Sequence, residues 1–195
     1  MRMIPYYDRI PMDPPDGCCV RLSAADGFEP LRGRTAVWLE APDPRAAVAA
    51  ARAVVRPVLN SLPADESAWQ AIGAQALQAF AGVVLLPYRP GAAVQSYDEN
   101  LEAALSLARR FGVPQAAVIV DVCIFPRRAV PDLAVYEARI ARLRGLGLAS
   151  CGGVNNYVFG DDERLLEDAW GRLETAGMDF GLVSARLAPI ALGRA

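Results

Sequence analysis

The chain has no histidine, and all 20 of its basic residues are arginine, so it has no lysine either. The lack of imidazole excludes Ser-His-Asp and Cys-His nucleophiles, a histidine general base near neutral pH, and histidine metal ligands. The lack of a side-chain amine excludes Schiff-base chemistry and the lysine of phosphate-binding loops. Catalysis would therefore depend on carboxylate, thiol, tyrosine or arginine groups.

The sequence also lacks a strong charge imbalance and a long apolar run. Its 22 acidic residues and 20 arginines give a net charge of -2, and the arginines are spread along all 195 residues. Nucleic acid is not an expected partner, because phosphate binding needs a concentrated positive patch. No apolar run reaches the roughly 20 residues that span a bilayer, and the first residues are too polar for a signal peptide. We therefore expect a cytoplasmic protein with no membrane partner.

Four cysteines, at positions 18, 19, 123 and 151, fall in no C-x-x-C spacing. The adjacent pair has poor geometry for a shared metal ion or an ordinary disulfide. Free cysteine behaves as a small hydrophobic residue, so we expect buried thiols. The sequence contains none of the usual nucleotide-binding or metalloprotease motifs, and we predict neither a cofactor nor a metal.

The first 17 residues form a separate segment in our interpretation. They contain Pro5, Pro11, Pro14 and Pro15, which favour neither a helix nor the interior of a sheet. We predict an extended N-terminal arm over residues 1–17 and a single domain over residues 18–195.

Strand and helix patterns alternate along the rest of the chain. Strands are predicted over residues 18–24, 35–40, 83–87, 116–124, 154–159 and 179–186. Helices are predicted over residues 43–59, 65–80, 96–111, 131–146 and 161–175. Turn-forming residues between the first two strands favour a hairpin with a long loop.

Residues 38–45 and 157–164 share one layout, with an aromatic residue in a predicted strand, an Asp at a helix cap and an Arg two positions later. The likeness indicates either two related βαβ halves or chance. Polar residues within the last strands, Asn156, Ser184 and Arg186, are typical of strands with one buried face. We therefore predict an α+β fold whose mixed or antiparallel sheet carries helices mainly on one face, of ferredoxin-like or duplicated βαβ type. A doubly wound α/β sheet is the alternative.

Two polar pairs near predicted strand ends, Arg127 with Arg128 and Asn155 with Asn156, are the predicted binding residues, because loops at strand ends commonly carry such groups. Asp121, the one charge in the most apolar strand, is the best candidate for an acid-base group. Cys151 in the Ser-Cys-Gly-Gly segment is a weaker candidate, placed by us in a flexible loop. No catalytic residue is assigned.

These patterns favour a non-enzymatic protein that recognises another, possibly basic, protein, in the manner of immunity proteins, antitoxins or enzyme inhibitors. The alternative is a small-molecule enzyme or ligand-binding domain that uses carboxylate and thiol groups with an arginine clamp. A third interpretation is a homo-oligomer whose exposed sheet face is the assembly interface.

Overall fold

Eight β-strands follow one another in chain order around a closed barrel in the computed structural model, which describes residues 1–23, 27–89 and 96–193. The strands are β1 (Arg2–Tyr7), β2 (Cys19–Arg21), β3 (Trp38–Glu40), β4 (Val58–Pro63), β5 (Gly82–Leu86), β6 (Val118–Asp121), β7 (Ala149–Gly153) and β8 (Phe180–Ser184). The helices are α1 (Pro44–Ala51), α2 (Glu66–Ile72), α3 (Ala74–Leu77), α4 (Tyr97–Arg110), α5 (Ala134–Gly145), α6 (Leu165–Thr175) and α7 (Ala188–Ala191). In the described part of the chain, no helix is both long and apolar enough to cross a membrane.

The predicted α+β fold with a mixed or antiparallel sheet is wrong. β2 and β3, which we expected to form a hairpin, run parallel with Cys19 opposite Trp38, and residue 24, the predicted end of the first strand, lies outside the described residues. The doubly wound alternative shares the alternation of strands and helices, but its sheet is open and reverses strand order. Here the order is sequential and closed, as in a (β/α)₈ barrel.

Two predicted elements, the helix over residues 43–59 and the strand over residues 154–159, differ in the structure. The helix predicted over residues 43–59 ends at Ala51, and β4 takes its last part. Pro57 explains the change, since proline within a helix removes a hydrogen bond and clashes with the preceding turn. The strand predicted over residues 154–159 is a 3₁₀ turn, and β7 precedes it.

The N-terminal segment also differs from its prediction, because Arg2–Tyr7 form a strand. β1 runs parallel to β8, from Arg2 opposite Phe180 to Tyr6 opposite Ser184. Only one of the four prolines, Pro5, falls within these six residues. The proline content of residues 1–17 as a whole therefore does not describe Arg2–Tyr7. The division of the chain into an arm over 1–17 and one domain over 18–195 stays a prediction.

Contacts group the chain into two compact units. Unit A comprises Tyr7–Ile119, and unit B comprises Met1–Tyr6 together with Val120–Ala195. In unit A, β2, β3, β4 and β5 pair in that order and in parallel. Trp69 of α2 is fully buried, donates from Nε1 to the Pro63 carbonyl at 2.9 Å, and lies 5.6 Å from the Phe111 ring.

Unit B contains parallel β7, β8 and β1. Gly181 of β8 faces the Trp170 ring of α6 so closely that an added Cβ would lie 2.6 Å from ring atom Cζ3. At the amino end of β7, the Asp179 carboxylate accepts hydrogen bonds from the backbone N–H of Ser150 at 2.8 Å and from its hydroxyl at 3.1 Å.

Asp179→Ala is expected to lower the free energy of unfolding by about 1–3 kcal/mol, because the buried Ser150 loses both bonds to the carboxylate. Urea denaturation measures the change. Asp168→Ala, at an exposed position of α6, is the control and is expected to change stability by about 0.5 kcal/mol or less. Equal losses in the two variants would contradict the proposed role of Asp179.

The likeness between residues 38–45 and 157–164 holds only in the turns that precede helices α1 and α6. Asp43 accepts from the backbone N–H of Arg45 and pairs with its guanidinium, and Asp162 makes the same contacts with Arg164. The first copy follows a strand, whereas residues 157–160 form a turn. The duplicated βαβ arrangement is therefore wrong, and the shared pattern is a local Asp-x-Arg turn.

Candidate functional site

In unit A, three polar residues lie on adjacent strands, and we call them the polar row: Arg21 and Glu40, the last residues of β2 and β3, and Asn60, the third residue of β4. Arg21 is opposite Glu40 in the strand register. Nδ2 of Asn60 lies 3.5 Å from Oε2 of Glu40. Asn60 is only 7% exposed, which is unusual for an amide side chain.

Local sequence explains why these side chains lie where they do. β3 ends at Glu40 because Pro42 and the cap residue Asp43 turn the chain into α1. β4 contains a register shift between Asn60 and Leu62 against β5. Such irregularities redirect side chains and are common near active sites. The polar row is therefore produced by chain turns and a bulge, which no single residue pattern reveals.

Two thiols lie beside the polar row and are poor nucleophiles. Sγ of Cys19 is 3.5 Å from Nδ2 of Asn60. Burial, followed by the negative charge of Glu40, raises the pKa of Cys19 well above its usual range. Burial also raises the pKa of Cys18 to about 11. Both side chains are therefore neutral thiols at physiological pH, and their chemistry is limited to packing and weak hydrogen bonding.

A cavity of about 410 Å³ adjoins the polar row at Arg21. It is lined by Asp8, Arg9, Arg21, Leu22, Ser23, Pro42, Asp43 and Ala46. The Asp43 carboxylate is engaged by Arg45, whereas Arg9 and Arg21 form no ion pair within residues 1–23, 27–89 and 96–193. Two guanidinium groups of this kind suit a carboxylate or phosphate of a small ligand.

Unit B has its own acidic strand end at Asp121, the last residue of β6. Oδ1 of Asp121 accepts a hydrogen bond from the backbone N–H of Cys123 at 2.6 Å. Cys123 has φ of 53°, a left-handed conformation that is uncommon outside glycine. Burial raises the pKa of the Cys123 thiol, and the Asp121 charge adds to this. The candidate acid-base residue, Asp121, therefore lies partly buried at a strand end, and the backbone of the following loop donates a hydrogen bond to it.

The four predicted binding residues lie in unit B, and their role stays a prediction. The Arg127 N–H donates to the Tyr157 carbonyl at 2.8 Å, and its guanidinium lies 3.5 Å from Asp161. Arg128 is exposed beside Gly160. Asn155 is half-buried and Asn156 exposed, both in the 3₁₀ turn after β7. Arg127 and Arg128 therefore lie against residues 157–161, which follow the two asparagines.

Cys151 does not lie in a flexible loop, as we predicted, but within β7 and fully buried. Gly152 beside it is required by packing, because an added Cβ would lie 2.8 Å from Cδ1 of Ile124. The two glycines indicate a turn in the sequence, whereas in the structure they permit close approach of neighbouring side chains.

Sequence reasoning missed Glu40 and Asn60. Glu40 was placed at the end of a predicted strand and given no role, and Asn60 fell just beyond a helix predicted to residue 59. The signal that could have found Asn60 is Pro57, which ends the helical pattern immediately before the apolar residues Val58 and Leu59.

Polar side chains at the carboxyl ends of parallel barrel strands are the arrangement found in α/β-barrel enzymes, whose active sites lie at that face. No family model and no curated protein matches the chain. Among solved structures, it is similar to a dihydropteroate synthase from Coxiella burnetii in complex with pteroic acid, with a TM-score of 0.62 and 13% identity over 100% of this chain and 93% of that chain. It is also similar to the 7,8-dihydropteroate synthase from Vibrio fischeri, with a TM-score of 0.65 and 12% identity over 98% and 90% of the two chains.

These comparisons establish a shared fold and overturn our functional prediction. The neighbours are synthases, one of them holding a small molecule, whereas we predicted a non-enzymatic protein of the immunity-protein, antitoxin or inhibitor type. The prediction of a protein partner is wrong for the same reason. The alternative, a small-molecule enzyme or ligand-binding domain, is the interpretation that the comparisons favour.

Proposed function

We propose that this chain is an enzyme-type α/β barrel that binds a small heterocyclic molecule of the pterin class at the polar row of unit A. The observation that carries the proposal is the buried amide of Asn60, within β4, beside the carboxylate of Glu40 at the end of β3. A cytoplasmic location, where small metabolites are handled, is part of the same proposal.

The hydrogen-bonding chemistry of the polar row suits such a ligand. The pyrimidinone edge of a pterin presents an amino group and a ring N–H as donors beside a carbonyl acceptor. A carboxylate is an acceptor with two oxygens, and an amide both donates and accepts. Glu40 would accept from the ligand's donors, and Asn60, whose Nδ2 faces Glu40 and Cys19, would present its Oδ1 as a further acceptor. Pteroic acid, the ligand of the Coxiella burnetii neighbour, has this edge and also a carboxylate.

The cavity beside Arg21 suits the anionic part of the ligand. Arg9 and Arg21 supply positive charge there. With neutral thiols at Cys18 and Cys19, the row provides no ready covalent nucleophile. The chemistry it supports is therefore binding and orientation of a ligand by hydrogen bonds and charge, without a covalent intermediate.

Asn60→Leu is the direct test of the proposal. Leucine has a similar volume but cannot form hydrogen bonds, so pteroic acid should bind about 10–100-fold more weakly than to the unmodified protein. Isothermal titration calorimetry with the full chain measures both dissociation constants. Gln70→Leu, at an exposed position of α2, is the matched control and should leave binding unchanged.

Absence of pteroic acid binding by the unmodified protein would overturn the proposed ligand class. Equal dissociation constants for Asn60→Leu and the unmodified protein would overturn the assignment of the site. A thermal melt of each variant shows whether it is folded under the conditions of the titration.

A further inference from the structure

A second cavity of unit A shares no residue with the polar row. Its volume is about 410 Å³, which falls within the range of small-molecule sites. It lies among the segment after β4, the segment after β5 and the later turns of α4. Because its described lining residues all fall within Tyr7–Ile119, the cavity belongs to one compact unit. These residues are Ala64, Asp65, Glu66, Arg89, Ala103, Ser106, Leu107 and Arg110.

Ala64 and Arg89 are bonded to each other at one wall of this cavity. The Ala64 N–H donates to the Tyr88 carbonyl at 3.2 Å, and Nε of Arg89 donates to the Ala64 carbonyl at 2.7 Å. Two consecutive residues after β5 thereby hold both backbone polar groups of Ala64. Because Arg89 uses Nε in this way, the two terminal nitrogens of its guanidinium remain as donors for a ligand. The guanidinium is held in place before a ligand binds.

Two opposite charges in the cavity do not neutralise each other. Glu66 accepts from Nη2 of Arg110 at 2.7 Å, and this contact lowers the pKa of its carboxyl group. Asp65 and Arg89, by contrast, form no ion pair within the part of the chain that the structure describes. Oδ2 of Asp65 accepts from the Ser67 hydroxyl at 2.6 Å, which leaves Oδ1 as an acceptor. The cavity therefore offers one cation and one anion that are too far apart to bond to each other.

The cavity also has an apolar surface. Ala64 is 1% exposed and Leu107 is 6% exposed, and both line it. Ala103 lies four residues before Leu107, on the same side of α4. An aliphatic group placed against these residues loses contact with water, which favours binding in proportion to the apolar area buried. The cavity therefore combines two separate charges with a surface that suits a small aliphatic group.

We propose that this cavity binds a free α-amino acid with an aliphatic side chain. Such a molecule carries an ammonium and a carboxylate on one carbon atom, which matches the separate charges of Asp65 and Arg89. The terminal nitrogens of Arg89 donate to the carboxylate in two parallel hydrogen bonds. Oδ1 of Asp65 accepts from the ammonium, and the aliphatic side chain contacts Ala64 and Leu107. The site does not depend on the proposed pterin site, because the two share no residue.

Calorimetric titration of the full chain with L-leucine tests the proposal. The unmodified protein should show saturable binding. Asp65→Asn and Arg89→Met should each weaken it about tenfold or more, because each removes a hydrogen bond between charged groups. Glu99→Gln and Arg109→Met, both at exposed positions of α4, are the matched controls and should leave the dissociation constant unchanged. Absence of saturable binding by the unmodified protein would overturn the proposal.

Two analogues of leucine show which charge each residue recognises. Isocaproate keeps the carboxylate but has no ammonium, so its affinity should fall in Arg89→Met and not in Asp65→Asn. Leucinamide keeps the ammonium but has no carboxylate, so its affinity should fall in Asp65→Asn and not in Arg89→Met. Equal losses for both analogues in each variant would show a general effect of charge and would overturn the assigned contacts.

Nuclear magnetic resonance of the backbone amides locates the bound leucine. L-Leucine should shift the resonances of residues 64–66 and 103–107 and leave those of Arg21 and Glu40 unchanged. Shifts at the polar row in place of this cavity would overturn the site. Because leucine is the only ligand in these measurements, their result does not depend on whether the chain binds pteroic acid.

A thermal melt shows whether each variant is folded under the conditions of the titration. If Arg89→Met does not fold, Arg89→Lys takes its place. Lysine keeps the charge but cannot form two parallel hydrogen bonds to a carboxylate, so this variant should also bind leucine more weakly than the unmodified protein. An unchanged dissociation constant in a folded Arg89 variant would overturn the role of Arg89.

Discussion

Glu40→Gln is expected to weaken pteroic acid binding about 10–100-fold, the largest functional effect that we anticipate for a change this small. The substitution preserves shape but replaces one acceptor oxygen with an N–H₂ group that would face the ligand's own donors. Hydrogen bonds to charged groups contribute about 1.5–3 kcal/mol, and their loss corresponds to that range of affinity. Calorimetric dissociation constants for the variant and the unmodified chain measure it.

A smaller ligand shows which part of pteroic acid Glu40 contacts. p-Aminobenzoic acid has the carboxylate of pteroic acid but no heterocycle. It should bind more weakly than pteroic acid, with the same dissociation constant for Glu40→Gln and for the unmodified protein. Glu99→Gln, on an exposed turn of α4, should bind both compounds as the unmodified protein does. Equal weakening for the two compounds would argue that Glu40 contributes general charge and does not recognise the heterocycle.

Trp69→Ala should cost about 3–5 kcal/mol of unfolding free energy, the largest stability effect that we predict. The indole is completely buried in unit A, contacts the Phe111 ring and donates to the Pro63 carbonyl at the end of β4. Removing it leaves a cavity and an unpaired carbonyl together. Urea denaturation gives the value.

Trp69→Phe divides this cost between its two causes. Phenylalanine keeps an aromatic ring against Phe111 but cannot donate to Pro63, so a loss of about 1–2 kcal/mol is expected. A loss as large as that of the alanine variant would assign the effect to the hydrogen bond rather than to the volume of the ring.

Local elements with strong periodicity could be predicted from the sequence. The helix expected over residues 96–111 is α4 (Tyr97–Arg110), and the strand expected over 83–87 is β5 (Gly82–Leu86). Both have apolar residues at the spacing of their own type and clear end signals. In such segments the local chain chemistry and the tertiary structure favour the same conformation.

The sheet topology could not be predicted in the same way, because pairing is a contact between distant residues. Whether Cys19 faces Trp38 in parallel or across a hairpin depends on the path of residues 22–37, not on either strand. We also interpreted polar strand residues as an open sheet face. Asn156 shows the error, since it lies in the 3₁₀ turn after β7 and not in a strand.

The residues of the candidate site are hard to predict for the same reason, because they come together only through strand pairing. Asp121 was recognised because a single charge interrupts an apolar strand, which is a local signal. Glu40 and Asn60 become a pair only when β3 and β4 adopt their register, 20 residues apart in sequence. A site assembled from several strand ends has no linear motif, and in this chain each contributing segment supplies one residue.

Gly181 and Trp170 also limit which sequences this barrel can accept. Because the ring of Trp170 occupies the space that a side chain at position 181 would need, the two positions share a fixed volume. Any larger residue at 181 requires a smaller one at 170, or else α6 must move away from β8. Divergence at either position is therefore tied to the other, and related chains should show their sizes changing in opposite directions.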